Sequence, residues 1–150
     1  MLRVEGVEAL SALTGSELGV SSWHLVTQEQ VDLFADATGD HQWIHVDRER
    51  AGQGPFGGTI AHGYLTLSLL PALLHEVLSV GGVRMGVNYG LNRVRFPAPV
   101  PVGSRLRAVA RLQEATPIPG GVQVVLGVAV QLESGAKPAC VAEAVYRYLM

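Results

Sequence analysis

"TIAHGYLTLSLLPALLHEVLSV", running from Thr59 to Val80, decides the fold. A stretch this apolar reads either as a membrane span or as a helix enclosed by its own protein. It carries two histidines, a glutamate and a proline, and no basic flank sits beside it. A helix buried in a core is therefore expected, and no membrane partner. Pro71 marks either a kink or an early boundary, because its ring removes one helix hydrogen bond. Such a helix needs an apolar layer around it, and the rest of the chain supplies one. "VRMGVNYGLNRVRF" (83–96), "SRLRAVARLQEA" (104–115), "VQVVLGVAVQLE" (122–133) and "ACVAEAVYRYL" (139–149) are β-rich and separated by Pro and Gly clusters. In the third, Val122, Val124, Leu126, Val128 and Val130 alternate onto one face. Helices come first and an antiparallel sheet follows. A sheet wrapped on the apolar helix is the economical α+β arrangement.

Upstream, Val7 to Leu13 reads as a short helix and "SSWHLV" (21–26) as a short strand. Thr27 opens "TQEQVDLFADATG", with Gln30 at capping-box spacing. Val31, Phe34 and Ala35 share a helical face, and Gly39 is the C-terminal stop. Asp47 is a candidate N-cap for "RERAG", and the glycine-rich loop "GQGPFGGT" follows. No repeat or linker interrupts the 150 residues, which suit a single domain spanning 1–150.

Hydrophobic residues make up 48% and charged residues 16%. That charged share is below the usual ~25% and points to a large core, an oligomer interface or an apolar ligand tunnel. Net charge is -2 and the 11 basic residues are scattered, so no nucleic-acid surface is expected. Cys140 is the single cysteine, lies in an apolar run and reads as a buried, inert thiol. The N-terminus lacks signal-peptide character. A reducing, cytoplasmic setting is expected.

The chemistry gathers in "FADATGDHQWIHVD", Phe34 to Asp47. Taken alone, an Asp and a His this close make a capping or surface pair more often than a catalytic one. His41 and His45 have the i, i+4 spacing of helical metal ligands, but Trp43 and Ile44 read as loop and no further ligand motif joins them, so no metal is expected. "GQGPFGGT" lacks the Lys-Ser/Thr of a phosphate loop. His75 with Glu76 reads as a solvated helix end. Arg93, Arg95, Arg105 and Arg107 read as a solvated sheet face, one or two of them within reach of phosphates.

Three blocks in order carry a resemblance: "FADATGDHQWIHVD", "GPFGGTIAHGYLTLSLLPALL" and "VRFPAPVPVGSRLR". Together they resemble the MaoC-like hydratase family, which includes R-specific enoyl-CoA hydratases, over nearly the whole chain. The family motif runs approximately Gly-Asp-x-Asn-Pro-hydrophobic-His, with an acid two residues on. Gly39, Asp40, Ile44, His45 and Asp47 keep it; Gln42 and Trp43 replace the usual Asn and Pro. The resemblance implies a hot-dog fold, a curved antiparallel sheet around a long central helix. It implies addition of water to trans-2-enoyl-CoA, or the reverse dehydration, with the thioester as substrate and no cofactor. It places Asp40 and His45 on one water and the Gly63 N–H on the thioester oxygen. Gln42, Phe56, Ile60, His62, Tyr64 and Asn88 are candidate substrate-binding residues, with plain packing the alternative for Phe56, Ile60 and Tyr64, and helix capping for His62. An exposed sheet edge and the acyl tunnel imply a homodimer. The competing functions are an acyl-carrier-protein dehydratase, a hot-dog thioesterase and a non-catalytic acyl-CoA-binding protein.

Overall fold

The computed structural model describes residues 1–150. Five long or medium strands build one antiparallel sheet. They are β2 (Glu17–Val20), β5 (Met85–Arg95), β6 (Arg105–Ile118), β7 (Gly121–Leu132) and β8 (Cys140–Leu149), ordered β2-β6-β7-β8-β5, while the two-residue β3 (His24–Leu25) also pairs with β6. The alternation expected in β7 is present. Val122, Val124, Leu126, Val128 and Val130 are all buried, facing the same core as Leu106, Ala108, Ala110 and Leu112 of β6.

The central helix fills that core in two pieces, α5 (Gly63–Ser68) and α6 (Leu70–Val77). Pro71 lies in the first turn of α6, where a missing N–H is harmless. Leu65, Leu70, Leu73, Leu74 and Val77 join the sheet residues in one apolar cluster. No helix is long and apolar enough to cross a membrane.

The helix expected to run to Val80 stops at Val77. Leu78–Gly81 form β4, which pairs in parallel with β1 (Leu2–Glu5). Leu78 is buried, so its apolar character satisfies helix and strand periodicities equally; the partner strand at the N-terminus makes the choice. The helix read from Val7 onward is α1, Gly6–Ser11.

Helix α2 (Gln28–Thr38) forms as read. The Thr27 side chain accepts from the Gln30 N–H, and Gly39 closes it in the left-handed region at φ 82°. The reciprocal half of the capping box is absent, because the Gln30 carboxamide bonds the His24 ring at 3.0 Å instead. The presumed loop between Asp40 and His45 contains a single helical turn, α3 (Trp43–Val46), followed by α4 (Arg48–Gly52), which Asp47 caps as expected. Gly54, just past α4, lies under Trp43. A Cβ there would sit 3.0 Å from the indole, while the Arg50 guanidinium lies 4.3 Å from the ring centre.

Strand β5 is the open edge of the sheet. It buries none of its residues and exposes Met85, Val87, Tyr89 and Leu91. At the opposite face of the core, Glu76 accepts from the Ser22 N–H at 2.8 Å and the Ser22 hydroxyl at 2.6 Å. Those two bonds hold its carboxyl below the usual range, so Glu76 is a stitch between α6 and the β2–β3 connection rather than a free helix end.

Candidate active site

Two segments distant in sequence are zipped together to make the site. The Ile60 N–H donates to the Ile44 carbonyl at 3.0 Å. The His45 Nδ1 meets the Ile60 carbonyl at 2.7 Å. A carbonyl only accepts, so Nδ1 carries the proton and Nε2 presents its lone pair. Beneath them lies Gln28, which is buried. Its amide donates to the His45 carbonyl at 2.8 Å and to Asp32 at 2.9 Å, and its oxygen accepts from the Thr59 hydroxyl at 2.6 Å. Every polar atom of this buried carboxamide is therefore paired, with His45, Thr59 and Asp32.

His45 is 6% exposed. Burial pushes its imidazole below the ordinary 6.5; nearby His62 adds to the shift, and the Ile60 bond and the Asp40 carboxylate oppose it. The ring is thus neutral, with an open lone pair, at neutral pH. Asp40, immediately after the Gly39 turn, is exposed. One carboxylate oxygen of Asp40 and one ring nitrogen from each of His45 and His62 lie within 4.8 Å of one another. For Asp40 and His45 that spacing suits sharing one water, since two hydrogen bonds of ~2.8 Å at a tetrahedral angle span about 4.6 Å, whereas His62 Nε2 is already committed to the Asp40 carbonyl. The spacing suits a shared metal ion less well: the His45 and His62 rings stack at 3.8 Å with 23° between planes, and each already commits one nitrogen to a backbone carbonyl.

Gly63 opens α5, and its N–H has no partner within the protein. A Cβ at this position would come within 3.0 Å of the Phe96 ring, so only glycine allows the close approach here. A cavity of about 330 Å³ opens on His45 and Gly63, lined also by Phe56, Ile60, Thr66 and Phe96, with Ala61, Ala98 and Ala139 among the remaining walls; Asp40 and His62 lie beside His45 and not on its walls. A second apolar cavity, about 350 Å³, lies at the far end of α6 between Leu74, Leu78, Tyr146 and Tyr148, away from the Asp–His cluster.

The site thus brings together Asp40, His45, His62, Gly63, Phe56 and Ile60. Gln42 stands at the head of α3, exposed, its N–H donating to Asp40 Oδ1 at 3.3 Å. Tyr64 is 72% exposed, on the outer side of α5 with its ring edge toward Phe96. Asn88 lies on the exposed edge strand β5 and not in the cavity that holds His45, and neighbouring Tyr89 stacks beneath Arg147 at 3.5 Å. His41 points instead to Asp36 at 2.9 Å, a bond that raises its pKa at the surface. Of the arginines, Arg107 covers Trp23 and bonds Gln131. Cys140 is fully buried, and burial pushes its thiol up to about 11, which suits the inert role.

Gln28, Thr59, Thr66 and Phe96 were not singled out from sequence. Gln28 had a signal: it shares the buried α2 face with Val31 and Ala35, so a polar side chain there had to find partners.

The sequence model of the MaoC-like domain matches residues 10–133. The chain is 57% identical over 150 residues to 3-hydroxyacyl-thioester dehydratase Z of Mycobacterium tuberculosis, covering 99% of each. It is 50% identical over 132 residues to nodulation protein N of Rhizobium leguminosarum, covering 85% of this chain and 81% of that one. Among solved structures, the R-hydratase PhaJ1 of Pseudomonas aeruginosa superposes with a TM-score of 0.74 at 26% identity, over 91% of this chain and 81% of that one. The sheet packed on a two-piece central helix is accordingly the hot-dog fold, and the chain belongs to the MaoC-like dehydratase family of hydro-lyases.

Proposed function

We propose that this protein adds water to trans-2-enoyl thioesters with R stereochemistry, and runs the reverse dehydration of 3-hydroxyacyl thioesters. The observation that carries the reading is the neutral His45, locked by the Ile60 carbonyl into the tautomer with a free Nε2, beside the Asp40 carboxylate. A water between them donates one hydrogen to each. As its oxygen forms the bond to C3, the His45 Nε2 takes a proton and the C2–C3 π electrons move to the thioester oxygen. The unpartnered Gly63 N–H receives that oxyanion. His45 then returns the proton to C2 and the carbonyl reforms. One water supplies both new groups, and both arrive on one face of the alkene. No cofactor takes part in these steps. The apolar walls of Phe56, Ile60 and Phe96 suit the acyl chain.

The exposed apolar edge β5 supports a homodimer in which a second copy covers Met85, Val87, Tyr89 and Leu91. Coenzyme A is the proposed thioester carrier. The name of the Mycobacterium tuberculosis relative, a 3-hydroxyacyl-thioester dehydratase, agrees with the reaction and leaves acyl carrier protein as the competing carrier.

The test is crotonyl-CoA hydration followed by chiral analysis. Enoyl absorbance should fall without release of free thiol, giving the 3R product. Thiol release would mean a thioesterase, and mainly 3S product would mean water delivered to the opposite face. Parallel assay of crotonyl-acyl carrier protein ranks the two carriers by kcat/KM.

A further inference from the structure

We infer that His62 is a positioning residue that ties the backbone of Asp40 to the ring of His45. The inference rests on the catalytic pairing proposed above. The His62 Nε2 meets the Asp40 carbonyl at 3.0 Å, and because the carbonyl only accepts, Nε2 is the donor. The same ring stacks on His45 at 3.8 Å and is backed by Phe34 at 4.9 Å. One side chain therefore touches both members of the pair.

Asp40 needs such a tether. It is exposed and follows a left-handed glycine. Its other bonds are long: its N–H reaches the Thr38 hydroxyl at 3.5 Å, and its Oδ1 accepts from the Gln42 N–H at 3.3 Å. The His62 bond is the shortest of the three.

Packing alone does not explain a histidine at this position. With Nε2 committed as donor, Nδ1 carries a lone pair, and it is the one buried side-chain nitrogen or oxygen in the protein without a hydrogen-bond partner. His62 is 3% exposed, so that atom stays desolvated, which is unfavourable. A phenylalanine would fill the stack between Phe34 and His45 with no orphaned atom. What histidine adds is the donor to Asp40. A residue that lowers stability while serving the site is the expected signature of function.

Two substitutions test this. His62→Phe keeps a flat ring and removes both the tether and the orphaned nitrogen. Its melting temperature should equal or exceed that of the native protein, while kcat falls at least ~10-fold with KM nearly unchanged, as for loss of a transition-state interaction. His62→Gln can present an amide N–H to the Asp40 carbonyl and should recover part of that loss. Two readouts need no turnover. By NMR, the Asp40 amide should exchange faster in His62→Phe than in the native protein. His45 should titrate higher, because His62 is one of the groups that holds it down; Asp40 is the other titratable neighbour acting on it. Failure of the native protein to hydrate any enoyl thioester would remove the proposed reaction and leave these NMR readouts standing. The inference is overturned if His62→Phe melts well below the native protein, keeps kcat within about 3-fold, matches His62→Gln in kcat, or leaves Asp40 exchange unchanged.

Discussion

Gln28 is the residue whose loss should be felt most for its size. Gln28→Met keeps the length and most of the volume but removes three hydrogen bonds at 2.6, 2.8 and 2.9 Å. Asp32 is exposed and recovers water. The His45 carbonyl and the Thr59 hydroxyl belong to buried residues, so both lose their partner without gaining solvent. A buried polar group left unpaired costs about 1–3 kcal/mol, so the pair predicts a loss of about 2–6 kcal/mol, partly offset by the better burial of a thioether. For a domain of this size each kcal/mol moves the melting temperature by about 2–4 °C, giving a fall of roughly 4–24 °C. Urea unfolding measures the free energy directly. Thr59→Val alone should cost less, since it orphans only the Gln28 oxygen, and the double variant should lose less than the sum of the two single ones. Loosening the carbonyl of His45 should also lower kcat in the variant that remains folded. A Gln28→Met protein within about 0.5 kcal/mol of the native one, or strict additivity with Thr59→Val, would refute the idea that this carboxamide holds the site together.

Asp40→Asn and His45→Gln should each lower kcat ~100-fold or more while folding survives, and the double variant should be little worse than either, because the proposed reaction puts both groups on one water. Asp36→Asn and His75→Gln, outside the pair, should leave kcat within a few-fold. Because the folded His45 pKa lies below the ordinary 6.5, the unfolded chain binds the proton more readily; the stabilisation from a neutral His45 is full above 6.5 and is lost as pH falls from there through the folded pKa. Urea midpoints between pH 7.5 and 5 should therefore fall less steeply in His45→Gln, and the acid limb of kcat/KM should lie below 6.5. Light scattering at micromolar concentration should give a dimer, with an interface above ~1,200 Å²; Val87→Lys on the open edge should shift it toward monomer, and a fully active native monomer would exclude the arrangement.

The elements that announced themselves in sequence are those governed by local chemistry. Thr27, Gly39 and Asp47 cap their helices because capping depends on a side chain and the few amides beside it. The β7 alternation is legible because a strand facing a core has a two-residue period. What escaped depends on partners remote in sequence. Leu78–Gly81 becomes a strand because β1 lies alongside, and nothing within "LSVG" says so. Gln30 gives its carboxamide to His24 rather than to the Thr27 N–H, a choice between two local partners that spacing does not decide. The proposed Asp40–His45 pairing rests on an ordered motif, whereas the contacts that hold His45 in place come from Ile60 and Gln28, with Thr59 bonded to Gln28. Asn88 reads as a site residue by its polarity in an apolar strand, and in the single chain it lies exposed on the edge strand β5, outside the cavity that holds His45.

The contact between Trp43 and Gly54 carries an evolutionary consequence. Trp43 replaces the proline usual in the family motif, and its indole occupies the space where a Cβ on residue 54 would stand. The two positions are therefore not free to drift independently. With tryptophan at 43, a side chain at 54 requires the indole to shift by a few tenths of an ångström, and a smaller residue at 43 eases that contact while leaving the Ala51 carbonyl 3.3 Å away. Aligned relatives should show the two positions changing together, with Trp43 favouring glycine at 54. Gly54 would then record the history of its neighbour, whereas Gly57 in the same loop, at φ 70°, answers to its own backbone.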